Sequence, residues 1–404
     1  MKILVLNSGS SSQKACLYEI GDTLPIRPPT SLWEGKIEWE DNDANTVVKN
    51  SKGVVLKQQL VVSSRELVLS NLISTSWNGE ARVLASASEI DAVGHRVVHG
   101  GPHFEDPVVI TPEVSSTING VSTFAPLHIR AEMEGVKIVE KLLGSIPQIA
   151  VFDTGFHRQM PLAAAVYPGL YDWFEKGIHR YGFHGINHQY CAGRAAQLLG
   201  RDLMSLKLVT CHLGNGCSVA AIHQGRSVDT TMGFTPLDGL MMGTRSGSVD
   251  PGILTFLMRQ GRLHAKDIDD LLNKRSGLLG ISGLSGDMRD ILAAIKKGHQ
   301  RAKLAFDMYI HRLRSAIGAM SAVLGGIDAL VFTAGVGENS SEVRAAACDT
   351  LGFLSLKLDY CLNDRPTLDQ DISSADSQVR VLVIRAQEDW AIASECWKLV
   401  RAST

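Results

Sequence analysis

Three glycine-rich stretches carry the residues most suited to chemistry: Asn7-Ser8-Gly9-Ser10-Ser11-Ser12, Gly214-Asn215-Gly216 and Gly335-Val336-Gly337. Each follows an apolar run that reads as a strand. Turns of this kind present successive backbone N–H groups with no Cβ in the way, which suits phosphate oxygens. Ser10 and Ser12 add hydroxyl donors. Any one of these turns also fits an ordinary hairpin or strand–helix connection. Three in one chain, the last running into a helix opened by Ser340-Ser341, favour a nucleotide cleft. Neither a G-x-x-x-x-G-K-[ST] phosphate loop nor a complete G-x-G-x-x-G is present.

Two arginines sit among glycines. Arg96 lies in Gly94-His95-Arg96-Val97-Val98-His99-Gly100-Gly101, and Arg245 in Met242-Gly243-Thr244-Arg245-Ser246-Gly247. A guanidinium held on such a loop suits a carboxylate or a phosphate, and a structural salt bridge equally. Asp153 follows the apolar run Gln148–Phe152, at the strand end where α/β enzymes place functional groups; an Asp there also caps turns. His184 stands in Arg180-Tyr181-Gly182-Phe183-His184-Gly185. His95, His99 and His103 recur every four residues, but Gly100-Gly101-Pro102 breaks any helix and no carboxylate is spaced to complete a zinc site. No G-x-S-x-G nucleophile elbow occurs, and Cys211 and Cys217 read as small strand residues.

The elements that must position these groups form two similar series. Lys2 to Leu6, Gln13 to Ile20 and Ala92 to Val98 read as strands, as do Leu206 to His212, Cys217 to Ile222, Arg226 to Thr230 and Val379 to Ile384. The periodicity predicts helices over 64–75, 129–143, 252–260, 265–274, 288–297, 301–324, 341–351 and 388–401. A strand, a Gly/Asn turn and a second strand occur near residue 6 and again near residue 215, which hints at two related α/β domains meeting at a cleft. The length of 404 residues fits two or three domains. With 40 basic and 42 acidic residues the net charge is −2, which argues against nucleic acid or a polybasic membrane surface as partner. No apolar run approaches a membrane span, and the N-terminal one is too short for a signal peptide. Seven scattered cysteines fit a reducing cytoplasm better than a disulfide framework.

Taken in order, these motifs resemble the acetate kinase family of actin-like phosphotransferases. The resemblance adds Phe152-Asp153-Thr154-Gly155-Phe156-His157, the block from Asp229 to Gly247, Ser285-Gly286-Asp287-Met288-Arg289-Asp290 and Phe332-Thr333-Ala334-Gly335-Val336-Gly337-Glu338-Asn339. It spans nearly the whole chain. It implies an α/β fold of two duplicated actin-like (ribonuclease-H-like) domains with a nucleotide cleft. The expected division is 1–153 plus 389–404 as an acceptor-side domain closed by the C-terminal helix, and 154–388 as the nucleotide-binding domain. The implied reaction is reversible, direct in-line transfer of the γ-phosphoryl group of ATP to acetate, with Mg²⁺ or Mn²⁺, by a cytoplasmic homodimer. Alternatives are a kinase of propionate or another short-chain carboxylate, or a non-kinase actin-like ATPase. A sugar kinase would need a general base and a polar pocket.

By the same resemblance, Arg96, Arg245, His184 and Asp153 are catalytic. Asn7 and Glu388 lie at the metal, and Arg96, Val98, Leu127, Phe183 and Pro236 at the acceptor. Lys14, Ser10, Ser12, His212, Leu213, Gly214, Asn215, Gly216, Asp287, Met288, Arg289, Gly335, Val336, Gly337, Glu338 and Asn339 line the nucleotide. The chain departs from the family pattern at Gln13 and Ala15, at Ile129-Arg130, at Ile186-Asn187 and around Glu388, in Gln387-Glu388-Asp389-Trp390. The chemistry is coherent: acetate is already ionised at neutral pH, so catalysis reduces to alignment and charge stabilisation.

Overall fold

The run Ile3-Leu4-Val5-Leu6 is fully buried, as a strand covered on both faces must be. The computed structural model describes the whole chain except Ser10, Ser11, Asp41, Asn42, Ser63, Phe124, Ala125, Arg262, Leu368, Ser403 and Thr404, and the side chains of Thr123, Pro126 and Leu127. The Ser10 and Leu127 expectations therefore fall outside the described residues and side chains. The chain forms two compact units, Met1–Gly155 with Gln387–Thr404, and Phe156–Ala386.

In the first unit the strands are β1 (Lys2–Ser8), β2 (Ser12–Glu19), β3 (Trp33–Trp39), β4 (Asp43–Asn50), β5 (Val55–Val61), β6 (Ala92–Val97), β7 (Val108–Val109) and β8 (Gln148–Phe152). They form one sheet in the order β5-β4-β3-β2-β1-β6-β8-β7. β1 is antiparallel to β2 and parallel to β6, and β6 is parallel to β8. The outer β3 alternates, burying Trp33, Gly35 and Ile37 and exposing Glu34 and Glu38. Helix Pro126–Leu143 and the C-terminal helix Glu388–Ala402 both pack against β1 and β6.

The second unit holds β9 (Lys207–Leu213), β10 (Cys217–His223), β11 (Arg226–Thr230), β12 (Ala329–Thr333), β13 (Gln370–Asp371) and β14 (Arg380–Val383), in the order β11-β10-β9-β12-β14-β13. β9 is antiparallel to β10 and parallel to β12, and β12 is parallel to β14. So β3-β2-β1-β6-β8 and β11-β10-β9-β12-β14 share one order and one set of directions. The repeat that was faint in the sequence is plain in the topology, and the α/β duplicated architecture holds.

Two local expectations change. Gly335-Val336-Gly337 is not an open turn; it lies inside a short helix, Ala334–Asn339, that begins directly where β12 ends. Ala334 takes a left-handed φ of 65° to turn the corner. The helix's terminal carbonyls find partners a reader of local sequence would not pair with them: buried Arg344 donates to Gly337 O and Glu338 O, both at 2.9 Å. The second change is at β6, which stops at Val97 and not at Val98, so His99 and His103 lie beyond the strand that carries His95. His95 instead bonds Gln148 at 2.8 Å, and burial pushes its pKa down to about 4.

Gly94 on β6 lies under the C-terminal helix. A Cβ there would stand 2.6 Å from Cys396 Sγ and 2.6 Å from Ile392 Cγ2. Gly94→Ala is therefore expected to lower the stability of the first unit by about 1–3 kcal/mol through overpacking. Urea unfolding measures it; parental stability would show that the helix does not press on β6.

Candidate functional site

Parallel register brings the first group of residues together. Leu6 pairs with His95 and Val97 with Phe152, so Asn7, Arg96 and Asp153 cluster at the carboxyl ends of three adjacent strands. Arg96 Nη2 forms an ion pair with Asp153, which is fully buried. Arg96 Nη1 donates to Asn7 Oδ1 at 3.3 Å. Asn7 Nδ2 in turn donates to Glu388 Oε2 at 3.3 Å and to Asp389 Oδ1 at 3.1 Å, in the first turn of the C-terminal helix. Burial works against the Arg96 charge, but Asp153, Glu388 and Glu132 outweigh it and raise its pKa. Burial raises the pKa of the Asp389 carboxyl, against the lowering effects of Asn7 and Lys14. Lys14 lies opposite Asn7 on β2. Lys14 and Ser12 thus stand in the first unit, apart in the chain from the other residues expected at the nucleotide.

Sequence reading missed Glu132. Its carboxylate accepts the Val98 N–H with both oxygens at 3.2 Å, just past the end of β6, where the strand ladder no longer serves that amide. Glu132 is 2% exposed and Val98 5%. The signal was present: residues 132, 136, 139 and 143 fall on one helical face, and Val136, Val139 and Leu143 are apolar. A charged residue on that stripe needs a buried partner.

The second unit gathers a different set. His184 has a left-handed φ of 58° and stands immediately before helix Gly185–Leu199, at its N-cap position. Its ring stacks on His212 with centroids 4.0 Å apart and planes 11° apart. His184 Nδ1 meets Ser218 Oγ at 2.9 Å, and Asn187 Nδ2 donates to His212 Nδ1 at 2.8 Å. A Cβ on Gly216 would stand 3.5 Å from His184 Nε2 and 3.4 Å from Arg245 Nη1. Arg245 donates to the Pro236 carbonyl at 3.2 Å and has no ion-pair partner among the described residues. Gly243 is forced, since a Cβ there would lie 2.3 Å from Asn215 Oδ1. Arg180 braces this region by donating to the carbonyls of Thr230, Thr231 and Met232, each at 3.0 Å.

The remaining expected residues are less uniform. Phe183 is buried, and its carbonyl lies 3.1 Å from His157 Nε2. Leu213 and Met288 are buried in the core, so their side chains are packed away. Asp287 caps helix Met288–Lys296 and pairs with exposed Arg289. Glu338 accepts the Ala386 N–H at 2.8 Å, Asn339 donates to Gly335 O, and Val336 is half-buried. Among the described residues no three His, Cys, Asp or Glu side chains are placed to hold a metal together.

Burial pushes the Glu132 carboxyl up to about 8, against the lowering effects of Arg96 and the Val98 amide. A carboxyl raised on folding contributes stability that is complete below its unfolded pKa, near 4.5, and is lost as pH rises through about 8. Glu132→Gln keeps an acceptor for Val98 and removes the titration. It is expected to raise the melting temperature more at pH 8 than at pH 5; an equal shift at both would place the titration elsewhere.

Residues 2–394 match the acetokinase family. An acetate kinase of Cyanothece sp. is 57% identical over 406 aligned positions, covering 100% of both chains. An acetate kinase of Nostoc sp. is 57% identical over 99% of this chain and 100% of its own. The structure is similar to that of Porphyromonas gingivalis acetate kinase, with a TM-score of 0.90 and 41% identity over 99% of each chain. A propionate kinase from Francisella tularensis matches with a TM-score of 0.88 and 36% identity over 98% of each chain. On its motifs, its two matching sheets and these full-length matches, the chain belongs to the acetokinase family.

Proposed function

We propose that the protein reversibly transfers the γ-phosphoryl group of ATP to acetate, giving acetyl phosphate and ADP. The observation that supports this best is Arg245, a partly buried guanidinium with no acidic partner among the described residues, set beside His184 Nε2. A cation left unpaired there is suited to a ligand's negative charge. Acetate needs no general base, so the residues have only to align and to stabilise. Arg245 and His184 would meet charge growing on the phosphoryl oxygens. Arg96, held by Asp153, would orient the acceptor carboxylate, with Val98, Phe183 and Pro236 against its methyl group. The turns at Gly214–Gly216 and the helix Ala334–Asn339 would hold the nucleotide, with Asp287 and Arg289. Asn7 and Glu388 offer hard oxygens for a divalent cation, Mg²⁺ or Mn²⁺, which neutralises phosphate charge and takes few protein ligands. The exposed apolar side chains Ile253, Phe256 and Met258 on helix Pro251–Arg259 support self-association as a dimer. Seven cysteines without a disulfide among the described residues support a cytoplasmic setting.

A hydroxamate assay for acyl phosphate, with ATP, Mg²⁺ and acetate, propionate or butyrate, tests the reading. Acetate is expected to be the best acceptor. Val98→Ala should then shift kcat/KM toward propionate by about tenfold, the worth of one methylene in an apolar pocket. No acyl hydroxamate from any acid would overturn the reaction; an unchanged acceptor ratio would remove Val98 from the pocket.

Glu388 opens the C-terminal helix, so a metal role must be separated from a helix-end role. Glu388→Ala is expected to raise the Mg²⁺ concentration for half-maximal rate and to lower kcat. A helix-end role alone would cost about 1 kcal/mol of stability and leave the Mg²⁺ midpoint in place. Activity titrated with Mg²⁺ beside a melting curve decides.

A further inference from the structure

The hydrogen-bond direction around His184 can be worked out from a buried hydroxyl. Thr210 on β9 is fully buried, and its Oγ1 has one partner among the described residues, His188 Nδ1 at 2.7 Å. A buried O–H without an acceptor costs about 1–3 kcal/mol. Thr210 therefore donates, and His188 Nδ1 accepts. Burial keeps the pKa of His188 well below its ordinary value, so the ring is neutral and its single N–H is on Nε2. That N–H donates to Ser218 Oγ at 2.7 Å. Ser218 is also fully buried and turns its own hydrogen to its other partner, His184 Nδ1 at 2.9 Å. His184 Nδ1 is then an acceptor, which leaves the ring hydrogen on Nε2. His212 is fixed in the same sense by Asn187, and its Nε2 lies 3.6 Å from where a Gly214 Cβ would stand. Both imidazoles thus turn an Nε2–H toward the turn that Arg245 also reaches.

We propose that Thr210, His188 and Ser218 are positioning residues that place the hydrogen of His184 on Nε2 and aim it, beside Arg245, at the transferring phosphoryl group. This rests on the reading that His184 meets that group. Adding a proton at His184 Nδ1 would turn the Ser218 hydrogen back to His188 and leave that of Thr210 without an acceptor. The chain therefore favours a neutral His184 with a defined tautomer. The titratable and charged groups around it include His188 on its own helix, His212 on β9, Arg245 from the loop after β11, and His157, whose ring lies 5.7 Å from that of His188.

The test uses the full-length protein with acetate, ATP and Mg²⁺. Ser218→Ala releases His184 Nδ1, so that the neutral ring can carry its hydrogen on either nitrogen. The expected result is a kcat that falls roughly tenfold to a hundredfold at high pH, by loss of alignment. It should recover as pH falls and both ring nitrogens become protonated, whereas the parent profile is flat over that interval. Histidine ¹⁵N spectra should show the Nε2–H tautomer of His184 in the parent and mixed tautomers in the variant. An equal loss of kcat at every pH, no loss, or an unchanged tautomer would overturn the proposal. Should Ser218→Ala fail to fold, Thr210→Val is expected to give the same pH-dependent loss and Thr210→Ser to restore the parent profile; Val and Ser behaving alike would overturn it. His184→Ala separates the two readings. Parental kcat there would overturn the role of His184 itself, while a collapsed His184→Ala beside an unaffected Ser218→Ala would overturn only the chain behind it.

Discussion

A guanidinium enclosed by acids organises the first unit. Asp153 is fully buried and paired with Arg96, and breaking a buried pair of this kind typically costs about 3–5 kcal/mol because one charge is left without compensation. That cost ties three strand ends together: β1 supplies Asn7, β6 supplies Arg96, and Asp153 follows β8. It also ties in the C-terminal helix, whose first turn reaches Arg96 through Asn7. The C-terminal helix thereby becomes part of the arrangement around β1. Glu132 completes the enclosure from helix Pro126–Leu143, where its carboxylate takes the amide that β6 leaves unserved.

The two units share a sheet order but treat charge in opposite ways. The first surrounds its arginine with carboxylates. The second leaves Arg245 without an ion pair among the described residues and sets the stacked imidazoles of His184 and His212 near it. Imidazole N–H donors and a guanidinium without an ion pair make a surface that favours anions without first having to release an internal carboxylate. Duplication supplied one scaffold; the side chains at the strand ends gave its copies different electrostatic characters.

Close approach is the second constraint on the region around Arg245. Gly216 lets His184 and Arg245 converge on one point, and Gly243 lets Asn215 sit against the backbone of the neighbouring loop. A Cβ at Gly243 would overlap Asn215, and one at Gly216 would fill the space in front of His184 and Arg245. The glycine-rich character of Asp229–Gly247 is in this sense a packing requirement of the site and not a sign of looseness. Arg180 holds the start of that segment by three carbonyls at once, which fixes an irregular stretch that has no ladder of its own.

Much of this protein was legible in its sequence because the signals were local. Continuous apolar runs marked β1, β6, β8, β9 and β12, and the 3.6-residue spacing marked most of the long helices, though not Gly185–Leu199, since each pattern reflects a single element facing a core. The glycine and arginine motifs pointed to the family and, with it, to the chemistry. What stayed hidden depended on partners far away in the chain. Gly335–Gly337 looked like an open turn, because the Arg344 side chain that donates to the helix's carbonyls carries no local sign of doing so. Glu132 lay on the apolar stripe of its helix, but nothing local to it named Val98 and Arg96 as its partners. The direction of the hydrogen bonds from Thr210 through His188 and Ser218 to His184 joins two strands and a helix, and follows only from which groups are buried with a single partner. Sequence alone determined the family and many of the elements, though not β3, β4, β5 or helix Gly185–Leu199. Tertiary structure decided which polar groups lost their water, and with it which had to find one another.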